Sequence, residues 1–139
     1  MGPDLVAVTG RGDSLPDAFA QAALGVLGLI AGPPRPGPSD AREVRAHGQS
    51  LDSLLAAWIG ECLYVHEIEG FVPDRIDFAA FATGPAAGAE ALRLHAFVHG
   101  GEADPGEARP DAPRVVRGAT VREDIQGFEA RVTLGREPA

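Results

Sequence analysis

Val115-Val-Arg-Gly-Ala-Thr-Val-Arg122, followed by Phe128-Glu-Ala-Arg-Val-Thr-Leu134, decides the fold class of this chain. Both runs are rich in β-branched and aromatic residues, and the short polar stretch Glu123–Gly127 separates them. That pattern predicts two strands joined by a turn. Upstream, Ala91-Leu-Arg-Leu-His-Ala-Phe-Val98 alternates regularly. Leu92, Leu94, Ala96 and Val98 share one face, and Arg93, His95 and Phe97 share the other. Phe71–Phe81 alternates at Ile76 and Phe78, and less cleanly at Phe81. With Thr83–Gly88 as the turn, these two runs predict a hairpin. The segment His99–Pro113, rich in Gly, Pro, Asp and Glu, reads as a loop long enough to be functional or mobile.

The first half of the chain reads differently. Leu5–Val8 predicts a short strand that Thr9-Gly-Arg-Gly-Asp13 breaks. Ser14 then suits a helix N-cap, with Asp17 three residues later as in a capping box. Leu15, Phe19, Ala22, Ala23, Val26, Leu27 and Ile30 recur at helical spacing. The alanines would let this helix lie close to a sheet. Gly25 and Gly28 each weaken it by about 1 kcal/mol relative to alanine, which makes sense only where something approaches closely. Gly32-Pro-Pro-Arg-Pro-Gly-Pro-Ser39 ends the helix as a stiff connector, and Glu43–His47 predicts a strand. Ser50 caps a second helix with a stripe of Leu51, Leu54, Leu55, Trp58, Ile59, Cys62 and Leu63. The order β-α-β-α and then several strands predicts an α+β fold. It has two helices packed on mainly antiparallel sheet, in a single domain over residues 1–139, with no internal repeat.

Composition narrows the function. The chain has 139 residues, enough for one real core, and its 20 acids against 12 bases give a net charge of −8. This argues against sequence-independent gripping of nucleic acid, whose affinity comes mostly from phosphate neutralisation. A local basic patch and docking on a basic protein remain compatible with it. The one cysteine, Cys62, precludes an intramolecular disulfide and reads as a packed core thiol. No stretch approaches the roughly 18 apolar residues that span a bilayer, and the acidic start lacks a positive leader region. A cytoplasmic protein is the expectation.

Residue chemistry alone singles out no catalytic motif. His95 lies on a strand and His99 four residues on, just past its end; at strand spacing the two are about 13 Å apart, too far for joint ligation unless the chain turns sharply. Gly10-Arg-Gly12 lacks the spacing and the Lys-Ser/Thr of a phosphate loop. Carboxylates gather at Asp4, Asp13 and Asp17, and again at Glu102, Asp104, Glu107 and Asp111. Hard oxygen ligands suit calcium or magnesium, yet neither spacing is that of an EF-hand.

Several motifs in joint order resemble the archease family. Asp4 and Leu5-Val-Ala-Val8 are similar to the family's first aspartate and strand, and Ser14-Leu-Pro-Asp-Ala-Phe-Ala-Gln-Ala-Ala23 to its first helix. Leu51-Asp-Ser-Leu-Leu-Ala-Ala-Trp-Ile-Gly-Glu-Cys-Leu-Tyr64 is similar to its Trp-bearing second helix, with Glu61 retained. Gly101-Glu102 resembles the Gly-Glu before its variable loop, and Arg117-Gly-Ala-Thr-Val-Arg122 its Lys-Ala-Val-Thr-Tyr-His. The resemblance implies an accessory protein without catalysis of its own. It would bind an RNA-splicing ligase of the RtcB type and assist its guanylylation, with no direct nucleic-acid binding and no membrane. It also implies a divalent metal held by Asp4 and the end of the last strand.

Here the family's terminal aspartate falls on Gly135, and Glu137, two residues on, is the substitute carboxylate. The strand before the family's first motif has no counterpart in this sequence, which predicts a less covered sheet edge that a homodimer or pairing with another chain would cover. The implied site residues are Asp4 for metal or partner, Arg117 for a partner carboxylate or nucleotide phosphate, and Glu61 and Thr120 for local hydrogen bonding. No cofactor is required by the sequence. Two other functions are open: a metal-free, chaperone-like scaffold, and a small hydrolase or nucleotide-binding enzyme using the His99–Asp111 loop.

Overall fold

A computed structural model describes residues 5–82 and 92–136. Its order is β1 (Val6–Gly12), α1 (Leu15–Ala31), β2 (Asp40–Gly48), α2 (Leu51–Glu69), β3 (Phe71–Ala82), β4 (Leu92–Glu102), β5 (Val115–Asp124) and β6 (Gly127–Gly135). The predicted turn at Thr83–Gly88 lies outside the described residues.

Each helix starts and stops where its ends can be satisfied. Ser14 Oγ accepts the Asp17 N–H at 3.2 Å, with Pro16 in the first turn, where a missing N–H costs no helix bond. Ser50 and Ser53 cap α2 reciprocally: each side chain accepts the other's backbone N–H, at 3.1 and 2.9 Å. Gly70 ends α2 in the left-handed conformation, donating its N–H to the His66 carbonyl at 2.8 Å. The predicted stripes are the buried ones, although Leu15 and Leu51 at the helix starts are only half-buried.

The strands form two three-stranded antiparallel sheets, in the orders β1-β6-β5 and β2-β4-β3. Both helices contribute to one buried cluster that also takes in Ala130, Val132 and Leu134 of the first sheet and Val44, Leu94, Ala96 and Val98 of the second. Trp58 is fully buried; its Nε1–H donates to the Phe19 carbonyl at 2.9 Å. Its ring lies 5.3 Å from that of Phe78, and the Phe19 ring lies 5.0 Å from that of Phe81. A bulge between Phe78 and Ala80 brings both Phe78 and Phe81 inward, which explains the imperfect alternation in the sequence.

Thr9–Gly12 continue β1 rather than breaking it, because glycine here serves contact and not a turn. A Cβ on Gly10 would lie 2.2 Å from the backbone N of Ala22, so the strand's backbone rests directly on the alanine face of α1. The first two strand–helix units also correspond in detail. Gly12-Asp-Ser-Leu15 and Gly48-Gln-Ser-Leu51 make the same turn. A Cβ on each glycine would meet the backbone N six residues on, Ala18 at 2.7 Å and Leu54 at 2.5 Å. The chain therefore holds a short structural repeat, too brief to register as sequence periodicity.

Of the two helix glycines, Gly25 has a reason: a Cβ there would lie 2.7 Å from Val8 Cγ1. Gly28 is exposed and faces open space. Gly28→Ala is expected to stabilise the protein by about 0.5–1 kcal/mol, read as a higher midpoint in urea unfolding. Gly25→Ala should show no such gain, and a gain of equal size at both positions would contradict the contact at Val8.

The segment after β4 is tied down. The Ala103 N–H donates to the Gly70 carbonyl at 2.6 Å, Arg109 N–H to Ile30 at 2.9 Å, and Arg114 N–H to Gly135 at 3.0 Å. Arg109 thus serves a carbonyl in the last turn of α1. The expected loop begins only after Glu102, because β4 runs on past His99.

Candidate functional site

The candidate residues fall in the first sheet, its two ends and the flank of α2. The start of β1, the end of β6 and the start of β5 meet at one edge of that sheet, where Val6 pairs with Leu134 and Val115 with Gly135. Asp4 and Glu137 both lie outside the described residues. Arg117 sits at the bulge between Val116 and Gly118. A bulge re-aims a side chain out of the regular alternation. Here the Arg117 Nη2 donates to the Arg136 carbonyl at 2.7 Å. Its stem fills the space over Gly135, where an added Cβ would lie 2.8 Å from Arg117 Cγ and 2.9 Å from its Nε. Gly135 is buried because the arginine lies across it.

This packing bears on the implied metal. Calcium and magnesium need several convergent oxygens, chiefly carboxylates. Around Gly135 the Arg117 guanidinium is turned to a backbone carbonyl, and a side chain at position 135 would collide with Arg117. Among the described residues no three His, Cys, Asp or Glu side chains gather in a way that could hold an ion. The described residues do not fit a hard divalent cation.

Thr120 lies further along β5, opposite Arg131 of β6, exposed on the outer face of the sheet. Three residues of strand, about 10 Å, separate it from Arg117. Glu61 is exposed on α2. Neither side chain makes a hydrogen bond or ion pair among the described residues, so the expected hydrogen-bonding role is not seen in either. Sequence reading passed over Asp52, whose Oδ1 accepts the Val121 N–H of β5 at 2.8 Å. In sequence it is merely an acid in a helix first turn, where the dipole alone accounts for it.

Cys62 is buried, and burial pushes its thiol pKa up, as suits a core residue and not a nucleophile. Two residues of the segment proposed for a hydrolase, His99 and Asp104, are occupied structurally. His99 Nε2 lies 3.0 Å from Asp77 Oδ2, and Asp104 Oδ1 accepts the Gly106 N–H at 2.9 Å in a turn. A cavity of about 360 Å³ beside the connector from α1 to β2 is lined by Arg35, Arg42, Glu69, Phe71 and Glu102. Its charges are already matched. Arg42 bonds Asp40 at 2.8 Å and Glu69 at 2.5 Å, and its guanidinium lies 4.8 Å from the centre of the Phe71 ring. The bonds to Asp40 and then Glu69 raise the Arg42 pKa, and the same bond to Arg42 holds Asp40 below the usual carboxylate range.

Comparison with known proteins agrees with this architecture. Residues 6–133 match the sequence model of the Archease protein family (MTH1598/TM1083). "Protein archease" of Pyrococcus abyssi is 30% identical over 105 residues, covering 76% of this chain and 70% of that protein. "Protein archease" of Thermococcus kodakarensis is 33% identical over 67 residues, 48% of this chain and 47% of that protein. The chain thus spans under half of the second relative's length. The solution structure of Methanobacterium thermoautotrophicum protein 1598 superposes with a TM-score of 0.70 at 20% identity, covering 97% of this chain and 94% of that one. That likeness shows the same α+β fold. The family match across nearly the whole chain, on two helices set between two antiparallel sheets, makes this chain a member of the archease family.

Proposed function

We propose that this chain is an archease-type accessory protein, without catalysis of its own, that docks in the cytoplasm on an RNA-splicing ligase of the RtcB type and assists its guanylylation. The observation that carries the reading is the family match over residues 6–133. The bulge at Arg117 supports it, because it presents a fixed guanidinium at the sheet end where the family resemblance puts the working residues. A guanidinium offers a forked set of donors to a carboxylate or a phosphate oxygen. Arg117 is the proposed contact to a partner carboxylate or to the guanylate phosphate, and Asp4 a further contact to the partner.

The proposed contacts are those of Arg117 and Asp4 to the partner, and no step of the assistance is routed through a metal ion. Among the described residues, no helix is long and apolar enough to cross a membrane.

The test is guanylylation of the cognate ligase, followed with labelled nucleotide, with and without this protein. Stimulation is expected, and Arg117→Ala should reduce it by about tenfold or more, the scale of one charge-assisted contact. Arg117→Lys should retain part of it. An absence of stimulation by the unmodified chain, with calcium, magnesium or manganese present, would leave the metal-free scaffold reading in its place. That second reading has its own support in the arginine that fills the space over Gly135.

A further inference from the structure

The outer face of the β2-β4-β3 sheet carries a group of basic side chains that neither packing nor the proposed ligase role uses. Arg45 pairs directly with His95, and His47 with Arg93, across the β2–β4 ladder. All four point away from the core, because Val44, Ala46, Leu94 and Ala96 between them are buried. On the third strand their neighbours are only alanines: Ala80 pairs with His95 and Ala82 with Arg93. The missing bulk on that side leaves a recess of about 540 Å³, walled by Arg45, His47, Arg93 and His95 and floored by Ala80 and Leu94. Among the described residues no carboxylate lines it. By contrast, the cavity beside Arg42 contains Asp40, Glu69 and Glu102, and the depression along α1 contains Asp13, Asp17 and Asp74.

Among the described residues the acid at the rim is Glu43. Its Oε2 accepts from Arg45 Nη2 at 2.8 Å and lies 2.5 Å from His95 Nε2, though off the hydrogen-bonding direction. These contacts fix the Arg45 side chain and leave most of its N–H donors unused. Arg93 and His47 make no hydrogen bond or ion pair among the described residues. Two arginines lining one recess with no carboxylate among its described walls stand out on a chain whose net charge is −8.

Neighbouring Cα atoms in this two-by-two block are about 5 Å apart across the ladder and about 7 Å apart along it. On that footprint the long side chains of Arg45 and Arg93, with His47 between them in register, are within reach of one tetrahedral anion. A carboxylate would occupy a single guanidinium fork, whereas a phosphate has oxygens for both. We propose that this recess is a binding site for a phosphate group, free or as a terminal monoester, clamped by Arg45 and Arg93 with His47 as a further N–H donor.

The experiment is an amide NMR titration of the full chain with inorganic phosphate, against sodium chloride at matched ionic strength. Saturable shifts are expected at residues 44–47 and 93–96, with a dissociation constant on the order of 1 mM. The double variant Arg45→Ala/Arg93→Ala should bind at least about tenfold more weakly, while its circular dichroism and melting temperature stay those of the parent. Arg75→Ala, on the same face but outside the recess, should bind as the parent does. A second arm compares a 5′-phosphorylated ribo-oligonucleotide with inorganic phosphate. Tighter binding of the former identifies the ligand as a nucleic-acid end; equal affinity identifies free phosphate.

No saturable shift up to about 50 mM phosphate, or the same shifts in the double variant or with chloride alone, overturns the proposal. The site is read by binding and not by ligase stimulation, so its failure leaves the proposed accessory role untouched, and the reverse holds too.

Discussion

Gly10→Ala is expected to lower the melting temperature by about 10 °C or more, although alanine ordinarily improves a strand position over glycine. The reason is steric and involves backbone on both sides. The new Cβ would lie 2.2 Å from Ala22 N, 2.5 Å from the Ala18 carbonyl oxygen and 2.8 Å from Ala22 Cα. None of these atoms is a flexible side-chain end, so α1 and β1 must separate. Ala18 and Ala22 are fully buried against this strand, and moving the helix disturbs Phe19 and Val26 beside them. Overpacking of a tight core costs about 1–3 kcal/mol and more where backbone has to shift, and the higher end applies here. Thermal unfolding followed by circular dichroism, with Gly28→Ala as the contrasting open position, gives the measurement. A melting temperature within about 2 °C of the parent would mean that β1 does not rest on α1 as described.

Trp58→Ala should cost about 3–5 kcal/mol in chemical unfolding, the range for removing a large aromatic from a closed core. Three connections are lost together. The indole hydrogen bond to Phe19 ties α2 to α1, the ring contact at 5.3 Å with Phe78 ties α2 to β3, and the side chain's full burial vanishes. Trp58→Phe separates these losses. It keeps most of the apolar volume and removes the donor, so about 1–2 kcal/mol is expected. If Trp58→Phe proved as damaging as Trp58→Ala, the hydrogen bond and not the packing would dominate at this position. Trp58 is the single tryptophan of the chain, so its fluorescence also reports unfolding in every variant that retains it.

Periodicity made the helices and the last strand pair legible in sequence because capping and burial there are local. Ser14 and Ser50 each sit one residue before a stripe that repeats at helical spacing, and both stripes are the buried ones. The closing hairpin is legible to within about two residues for the same reason. What escaped was non-local. Gly10 and Gly12 read as chain breakers, since their true partner is helix backbone folded back onto them. The division into two sheets depends on β1 pairing with β6 and β2 with β4, pairings no segment announces on its own. At the candidate site, Gly135 read as a lost carboxylate; the structure adds that Arg117 occupies the space, a relation fixed by a bulge one strand away. The recess between Arg45 and Arg93 was invisible for the same reason: it exists only through a cross-strand register and two alanines on a third strand.

The hydrogen bond from Val121 to Asp52 also gives the first sheet a direction of growth. β5 and β1 are its two margins. A strand arriving from another molecule attaches through unspent backbone N–H and C=O groups. At β5 it would have to displace a carboxylate already seated on one of those N–H groups, with α2 alongside. Among the described residues no side chain guards β1 in that way. Any β-augmentation of this sheet, by a partner's segment or a second copy, should therefore extend it from β1 outward and leave the β5 margin as its closed end.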